Sequence, residues 1–266
     1  TLAKIAILKG YLLAWFQIMG RTKRKQNILY VDGFAGPGEY TNSPQGSPIA
    51  ALVAAESALS HSAGSWIAGD IHCAFIETDN ERLNNLRERI KPFDNIPRLK
   101  IHTLGKPFVE GLSELKSKIP ASFNYSHPLF VFIDPFGATG APFSAVTDTL
   151  KSPGSEILIN LDADGIARMF LAKNNPNRDA QLTEIFGNDS WQQVLSEHLS
   201  FQAICYRVLD LYKTGLRKLQ KVEYVFAFEM RSTAAETINY FLVFASQHHL
   251  GLEKMKEAMR RMGIGG

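Results

Sequence analysis

Five short apolar runs separated by stretches of helical periodicity constrain this chain more than any other feature. The runs lie near 28–32, 72–77, 98–104, 129–134 and 156–161, and helical patterns occupy 47–60, 80–91, 107–118 and 142–150. Such regular alternation implies a parallel sheet with helices on both faces. A further helix precedes the first strand: Leu2, Ile5, Leu8, Leu12, Leu13, Phe16 and Met19 recur at helical spacing up to Gly20, and the basic run Arg21–Lys25 leads on into the strand. Near the end the pattern changes. Val222–Met230 and Thr237–Ala245 are β-rich runs joined by a polar loop over 231–236, too short for a helical crossover, so the pair is expected to be antiparallel. With 266 residues, 45% of them hydrophobic, the chain is long enough to bury a sizeable core as one large domain over 1–266.

The stretch Tyr30-Val-Asp-Gly-Phe-Ala-Gly-Pro-Gly-Glu-Tyr40 places an acid and three glycines where the first strand ends. In an open α/β sheet the carboxyl edge is where ligands bind, so Asp32 stands at that edge while Gly33, Gly36 and Gly38 let the backbone turn and approach a ligand. The stretch reads as a nucleotide-type cofactor site, although a glycine-rich turn also serves purely conformational ends. A dinucleotide fold would place its ribose-binding acid about 20 residues beyond the glycines. Here the next strand, Cys73–Glu77, closes in an acid much further on, and no Gly-Lys-Ser/Thr P-loop follows the first strand.

An acid-plus-glycine first loop, an acid closing the second strand and a terminal hairpin together resemble the class I S-adenosylmethionine methyltransferases. The resemblance implies a Rossmann-like α/β fold, a mostly parallel seven-stranded sheet with one hairpin strand inserted antiparallel, and S-adenosylmethionine as cofactor. It implies that Asp32, Gly33, Phe34, Gly36 and Gly38 surround the methionine moiety and that Glu77 accepts hydrogen bonds from the ribose hydroxyls. Asp79 is an alternative acid, more simply read as the N-cap of the helix beginning at Asn80. Many methyltransferases close the third strand with an acid or amide that reads the adenine amino group. This chain has Ile101-His-Thr-Leu-Gly-Lys106, which leaves Thr103 or a backbone carbonyl for that role and Lys106 as a solvated helix-start residue.

A second motif, Phe130-Val-Phe-Ile-Asp-Pro-Phe-Gly137, ends the fourth strand. Asp134 closes the strand, Pro135 removes a backbone donor and stiffens the turn, and Phe136 presents an aromatic face. Methylation of an exocyclic base amine needs acceptors for the amine hydrogens and a surface for the ring. Asp134, the Pro135 carbonyl and Phe136 supply both, with Gly137 beside them at the substrate; an ordinary strand-to-turn Asp-Pro is the plainer reading. The motif resembles the Asp/Asn-Pro-Pro-aromatic motif of amino methyltransferases and the Asp-Pro-Phe-Gly of tRNA guanine N2-methyltransferases. The expected activity is methylation of a base amine in RNA or DNA.

The segment 162–221 carries helical patterns at Gly165–Ala172, Ala180–Phe186, Trp191–Leu199 and Gln202–Leu219. As an insertion after the fifth strand it is expected either to act as a substrate lid or simply to pack. Lys213, Arg217, Lys218 and Lys221 form a basic helical end, and Arg21–Lys25 a second cluster. Charge runs are commonly solvated faces, but near a base-type motif these also suit a phosphate backbone. The net charge of +3 permits nucleic-acid binding without demanding it.

The chain also resembles the three-Cys-motif partner family, bacterial proteins encoded beside a radical-S-adenosylmethionine-like protein that carries the cysteine motif. The segments are Leu8-Lys-Gly-Tyr-Leu12, Tyr30–Gly38, Gly46-Ser-Pro48, Phe132–Gly137, Ile185-Phe-Gly-Asn-Asp-Ser-Trp191 and Phe241–Met259 around Gly251-Leu-Glu-Lys-Met-Lys256. The resemblance implies a methyltransferase-like fold and that three-cysteine protein as partner. It also supplies a second reading, a non-catalytic scaffold for the partner.

Other residues narrow the compartment and the chemistry. Cys73 and Cys205 lack metal-ligand spacing and read as buried free thiols in a reducing compartment. No apolar run is read as long enough to span a bilayer, so no membrane association and a cytosolic location are expected. The start at Thr1 without Met leads us to expect a missing N-terminal piece. His248 and His249 have no nearby Cys or acidic partner, so no metal site is expected. Met255, Met259 and Met262 share helical spacing with Leu252 and read as core.

Overall fold

The apolar stripe at the amino terminus forms helix α1 (Leu2–Thr22), which passes Gly20 by two residues before β1 (Ile28–Asp32) begins. In the computed structural model, residues 2–39, 45–125, 127–172, 175–197, 199–219, 222–231 and 238–261 are described. After β1 come α2 (Ser47–His61), β2 (Ile71–Ile76), α3 (Asn80–Ile90), β3 (Leu99–Leu104), α4 (Phe108–Lys118), α5 (Pro120–Asn124), β4 (Leu129–Ile133), α6 (Phe143–Leu150) and β5 (Ser155–Leu161). Helices α7 (Ala163–Leu171), α8 (Arg178–Phe186), α9 (Gln192–Ser196) and α10 (Phe201–Arg217) follow. Strands β6 (Tyr224–Arg231) and β7 (Ile238–Ser246) and helix α11 (His249–Arg260) complete the order. Of the expected features, loop residues 232–236, turn residues 173–174, Lys221 and Met262 lie outside the described residues.

The sheet has seven strands in the order β3-β2-β1-β4-β5-β7-β6. The first five are parallel, and β7 runs antiparallel to both β5 and β6, which bears out the expected Rossmann-like sheet with its inserted strand. Alternate residues of each strand serve opposite faces. Tyr30, Phe75, Phe130, Leu158 and Phe244 meet α1, α2 and α11 on one side. Leu29, Val31, Val131, Ile157 and Val243 meet α4, α6, α7 and α10 on the other. The first face is largely aromatic: Tyr11 lies 5.1 Å from Phe130 and 5.5 Å from Phe244, and Trp15 lies 5.7 Å from Phe130, between ring centroids.

Two expectations are corrected here. An 18-residue stretch of helix α1 has a mean hydropathy of 1.4, and the helix is long and apolar enough to cross a membrane. Its Ile7, Leu8, Tyr11, Leu12, Trp15 and Phe16 are instead buried against the sheet, α2 and α11, so this is a core helix. The helix expected over Trp191–Leu199 is a 3₁₀ turn at Asp189–Trp191 followed by the five-residue α9. Asn188 caps that turn at Ser190, and the Trp191 Nε1–H donates back to Thr183 Oγ1 at 3.0 Å, which holds the indole over α8 and ends the periodicity. Within the 162–221 segment, Ile166, Phe170, Leu182, Phe186, Trp191, Ile204 and Val208 belong to the main core. Cys73 and Cys205 are buried free thiols, and burial pushes the Cys205 thiol up to about 11.

Candidate functional site

Parallel register aligns the expected residues. Asp32 pairs with Phe75 on one side and Phe132 on the other, so Glu77 and Asp134 each stand two residues beyond its level on the neighbouring strands. Ile133 pairs with Ile159, which brings Asn160 level with Asp134. From β1 the strand order runs to β2 on one side and to β4 on the other, and a crevice at such a reversal is where open α/β sheets bind ligands.

Asp32 is fully buried. Its Oδ1 accepts the Phe34 N–H at 3.3 Å, and its Oδ2 has no partner. Burial raises this carboxyl to about 7, against the opposing Ser47 hydroxyl and Phe34 amide. The Tyr30 phenol is buried beside it, with its own pKa raised by burial and then by the charge of Asp32. Beyond Asp32 the backbone turns at Gly36 and Gly38, with φ of 63° and 82°, a region that side chains with a Cβ rarely adopt. The Gly46 N–H donates to Gly38 O at 2.8 Å, which sets the turn against the N-terminus of α2. Phe34 packs against Phe108 of α4, with ring centroids 5.3 Å apart and the planes tilted by 31°.

Glu77 is buried and braces this turn: Oε2 accepts the Gly36 N–H at 2.9 Å and Oε1 the Asp79 N–H at 2.9 Å. Oε1 also accepts a long contact from the Thr78 hydroxyl at 3.5 Å, whereas Oε2 keeps a second lone pair for a hydroxyl. Asp79 caps α3 by accepting the Arg82 N–H, as expected. Thr103 is less open than expected, because its Oγ1 accepts from Arg87 Nε at 3.1 Å. Lys106 is an exposed residue ahead of α4, paired with Glu114 at 2.6 Å.

Asp134 departs most from expectation. Lys4, in the first turn of α1, places its ammonium 2.7 Å from Oδ1 and 2.6 Å from Oδ2, and Asn160 Nδ2 donates to Oδ1 at 2.6 Å. The carboxylate is therefore tied to the fold on both oxygens. An ammonium at a helix N-terminus opposes the helix dipole, so burying Lys4 depends on Asp134. The Tyr240 ring, 5.3 Å from Lys4 Nζ, adds a cation–π contact. The unpartnered acceptor beside this pair is Asn160 Oδ1, which is buried. Sequence reading missed both Lys4 and Asn160. Lys4 lies 130 residues from Asp134 on a helix that reads only as apolar, whereas Asn160 interrupts an otherwise apolar strand run and was there to be noticed. Phe136 follows on the turn and is 97% exposed, and Gly137 beside it has φ of 96°.

The fold does not bring Lys213, Arg217 and Lys218 to this cluster. Helix α10 starts by the carboxyl edge, where Cys205 Sγ lies 3.6 Å from Ala163 O. It ends by handing the chain to Tyr224, which pairs with Ser246 at the amino edge. Its basic last turn thus points away from Asp32 and Asp134.

The buried, unpartnered Oδ2 of Asp32, the positive-φ glycine turn and the flanking Glu77 suit a ligand that presents N–H and hydroxyl donors. No family model matches the chain, and no curated protein matches it. Among solved structures it is similar to an O-methyltransferase from Bacillus cereus in complex with SAH, at 13% identity over 89% of this chain and 79% of that one, with a TM-score of 0.46. It is similar also to the O-methyltransferase TomG from Streptomyces achromogenes, in complex with SAM, at 12% identity over 88% and 78% with a TM-score of 0.42. The SAH-bound methyltransferase PaMTH1 from Podospora anserina matches at 13% identity over 87% and 76%, with a TM-score of 0.41.

Proposed function

We propose that this chain is an S-adenosylmethionine-dependent methyltransferase whose acceptor is an exocyclic amine of a nucleic-acid base. The observation that carries the reading is Asp32: a fully buried carboxyl with an unpartnered oxygen, at the strand-order reversal and under a glycine turn. Asp32 accepts from the amino group of the cofactor's methionine moiety, and Glu77 accepts from its ribose hydroxyls. When bound, the cofactor supplies an electrophilic methyl group. The protein's part is orientation: Asn160 Oδ1 takes one amine hydrogen and so aims the nitrogen lone pair, and the exposed Phe136 ring stacks on the base. Lys4 holds Asp134 in place, and Asp134 in turn fixes the rotamer of Asn160. We assign the substrate surface to the 134–140 turn and not to the basic end of α10.

One observation favours a second reading. The Lys4–Asp134 pair occupies the acid of the Asp-Pro-Phe-Gly motif, as it would in a scaffold that serves the three-cysteine protein and transfers nothing. Calorimetry with S-adenosylmethionine, and transfer of labelled methyl groups to total RNA and DNA with and without that protein, separate the two. For the enzyme, Gly36→Val abolishes cofactor binding. Asn160→Ala keeps cofactor binding and lowers transfer on the order of 10²-fold. Cofactor binding with no transfer under any condition would leave the scaffold.

A further inference from the structure

At the opposite, amino edge of the sheet, α1 and α11 enclose a second cavity of about 240 Å³. Roughly 150 Å³ is enough to hold benzene, so this one has room for an aromatic ring and a short substituent. Glu156, the second residue of β5, lines it and is only 2% exposed. Its Oε2 accepts from the Tyr11 hydroxyl at 2.7 Å and its Oε1 from the Ser246 hydroxyl at 2.6 Å. The Trp15 indole N–H lies beside the same carboxylate without hydrogen-bond geometry. Gly251 lets α11 close over the site, since a Cβ there would meet Glu156 Oε1 at 2.0 Å.

Every hydrogen-bond donor that Glu156 has is neutral, and among the described residues no Lys or Arg pairs with it. Buried carboxylates are ordinarily matched by a cation or a metal. The two hydroxyls use one lone pair on each oxygen; burial raises the pKa of the carboxyl, and the exposed His248 nearby favours its charged form. Trp15 and Tyr11, rings of the kind that attract a cation, line the cavity together with Ile18 and Leu250. Lys23, Lys254 and the exposed His248 line the cavity as well, but Lys254 is held by Glu257 at 2.8 Å. Charges near solvent are screened, whereas the buried carboxylate is not, so Glu156 decides the sign of the ligand.

We propose that this cavity is a second ligand site, which takes a small primary amine on an aromatic body, with the ammonium on Glu156 and the ring against Trp15 and Tyr11. The site is independent of methyl transfer. The probe is phenethylamine, titrated into the full chain by calorimetry near neutral pH, with 2-phenylethanol and 3-phenylpropanoate as neutral and anionic counterparts of similar shape. Saturable one-to-one binding of the amine is expected, at least tenfold tighter than either counterpart and lost in Glu156→Gln. Leu250→Trp, at a position 45% exposed, should also abolish it by filling the cavity, and carries the test should Glu156→Gln not fold. No binding of the amine to the natural chain, equal binding of the alcohol, preference for the carboxylate, or binding undiminished in Leu250→Trp would each overturn the proposal.

Discussion

The two edges of the sheet bury acids under different terms. At the carboxyl edge, Asp134 is compensated by a lysine ammonium, and Asp32 meets the cost of burial by titrating near neutrality. At the amino edge, Glu156 has hydroxyl donors alone, and burial raises its pKa against their opposing effect. The carboxyl edge is built from loops and the start of α2, which leave backbone N–H groups and unpartnered acceptors facing one another. The amino edge is closed by the end of α1 and the start of α11. A buried acid with an ionic partner is finished, whereas one without is left to a ligand or to protonation.

The sharpest way to break this comparison is to neutralise Asp32. Its folded pKa of about 7 lies above that of an unfolded aspartate, so the folded state holds a proton that the unfolded state releases, and stability falls as pH rises between the two values. Asp32→Asn abolishes that loss. The variant should be more stable than the natural chain above pH 7, by on the order of 4 kcal/mol, with the difference vanishing near pH 4. Urea unfolding across pH measures it, and a difference independent of pH would place Asp32 with the compensated acids. Lys4→Met should act in the opposite direction, costing about 3 kcal/mol at pH 7 by stranding Asp134. Adding Asp134→Leu should recover most of that loss, and thermal unfolding of the single and double variants tests the coupling. The smallest effect is expected for Glu156→Gln: a change within about 1 kcal/mol, because the amide oxygen still accepts one of the two hydroxyls. A larger loss would show that the charge of Glu156 supports the fold itself.

The order and type of the strands were legible because apolar runs and helical periods alternate cleanly. Each run falls within one or two residues of its strand, and Asp79 capped α3 as its position suggested. Asp32, Glu77 and Asp134 were legible as the ends of those runs. What the acids touch was not. Lys4 reaches Asp134 through the docking of α1 on the sheet, a tertiary event with no local signature, Asn160 reaches it through the pairing of β4 with β5, and Thr103 was claimed by Arg87 from α3. The basic end of α10 misled because closeness of charge to a motif in composition says nothing about which edge a helix ends on.

Helix α1 has a consequence for how the chain emerges from the ribosome. It is made well before the groups it anchors: Lys4 waits 130 residues for Asp134 and Tyr11 waits 145 for Glu156. At ordinary synthesis rates the second interval is about 7–30 s. During it, a 21-residue helix apolar enough for a bilayer has only α2 and the earlier strands to cover it, with β5, β7 and α11 still to come. Nascent chains arrested before β5 should therefore be the species most dependent on chaperones, and the completed sheet the event that releases them.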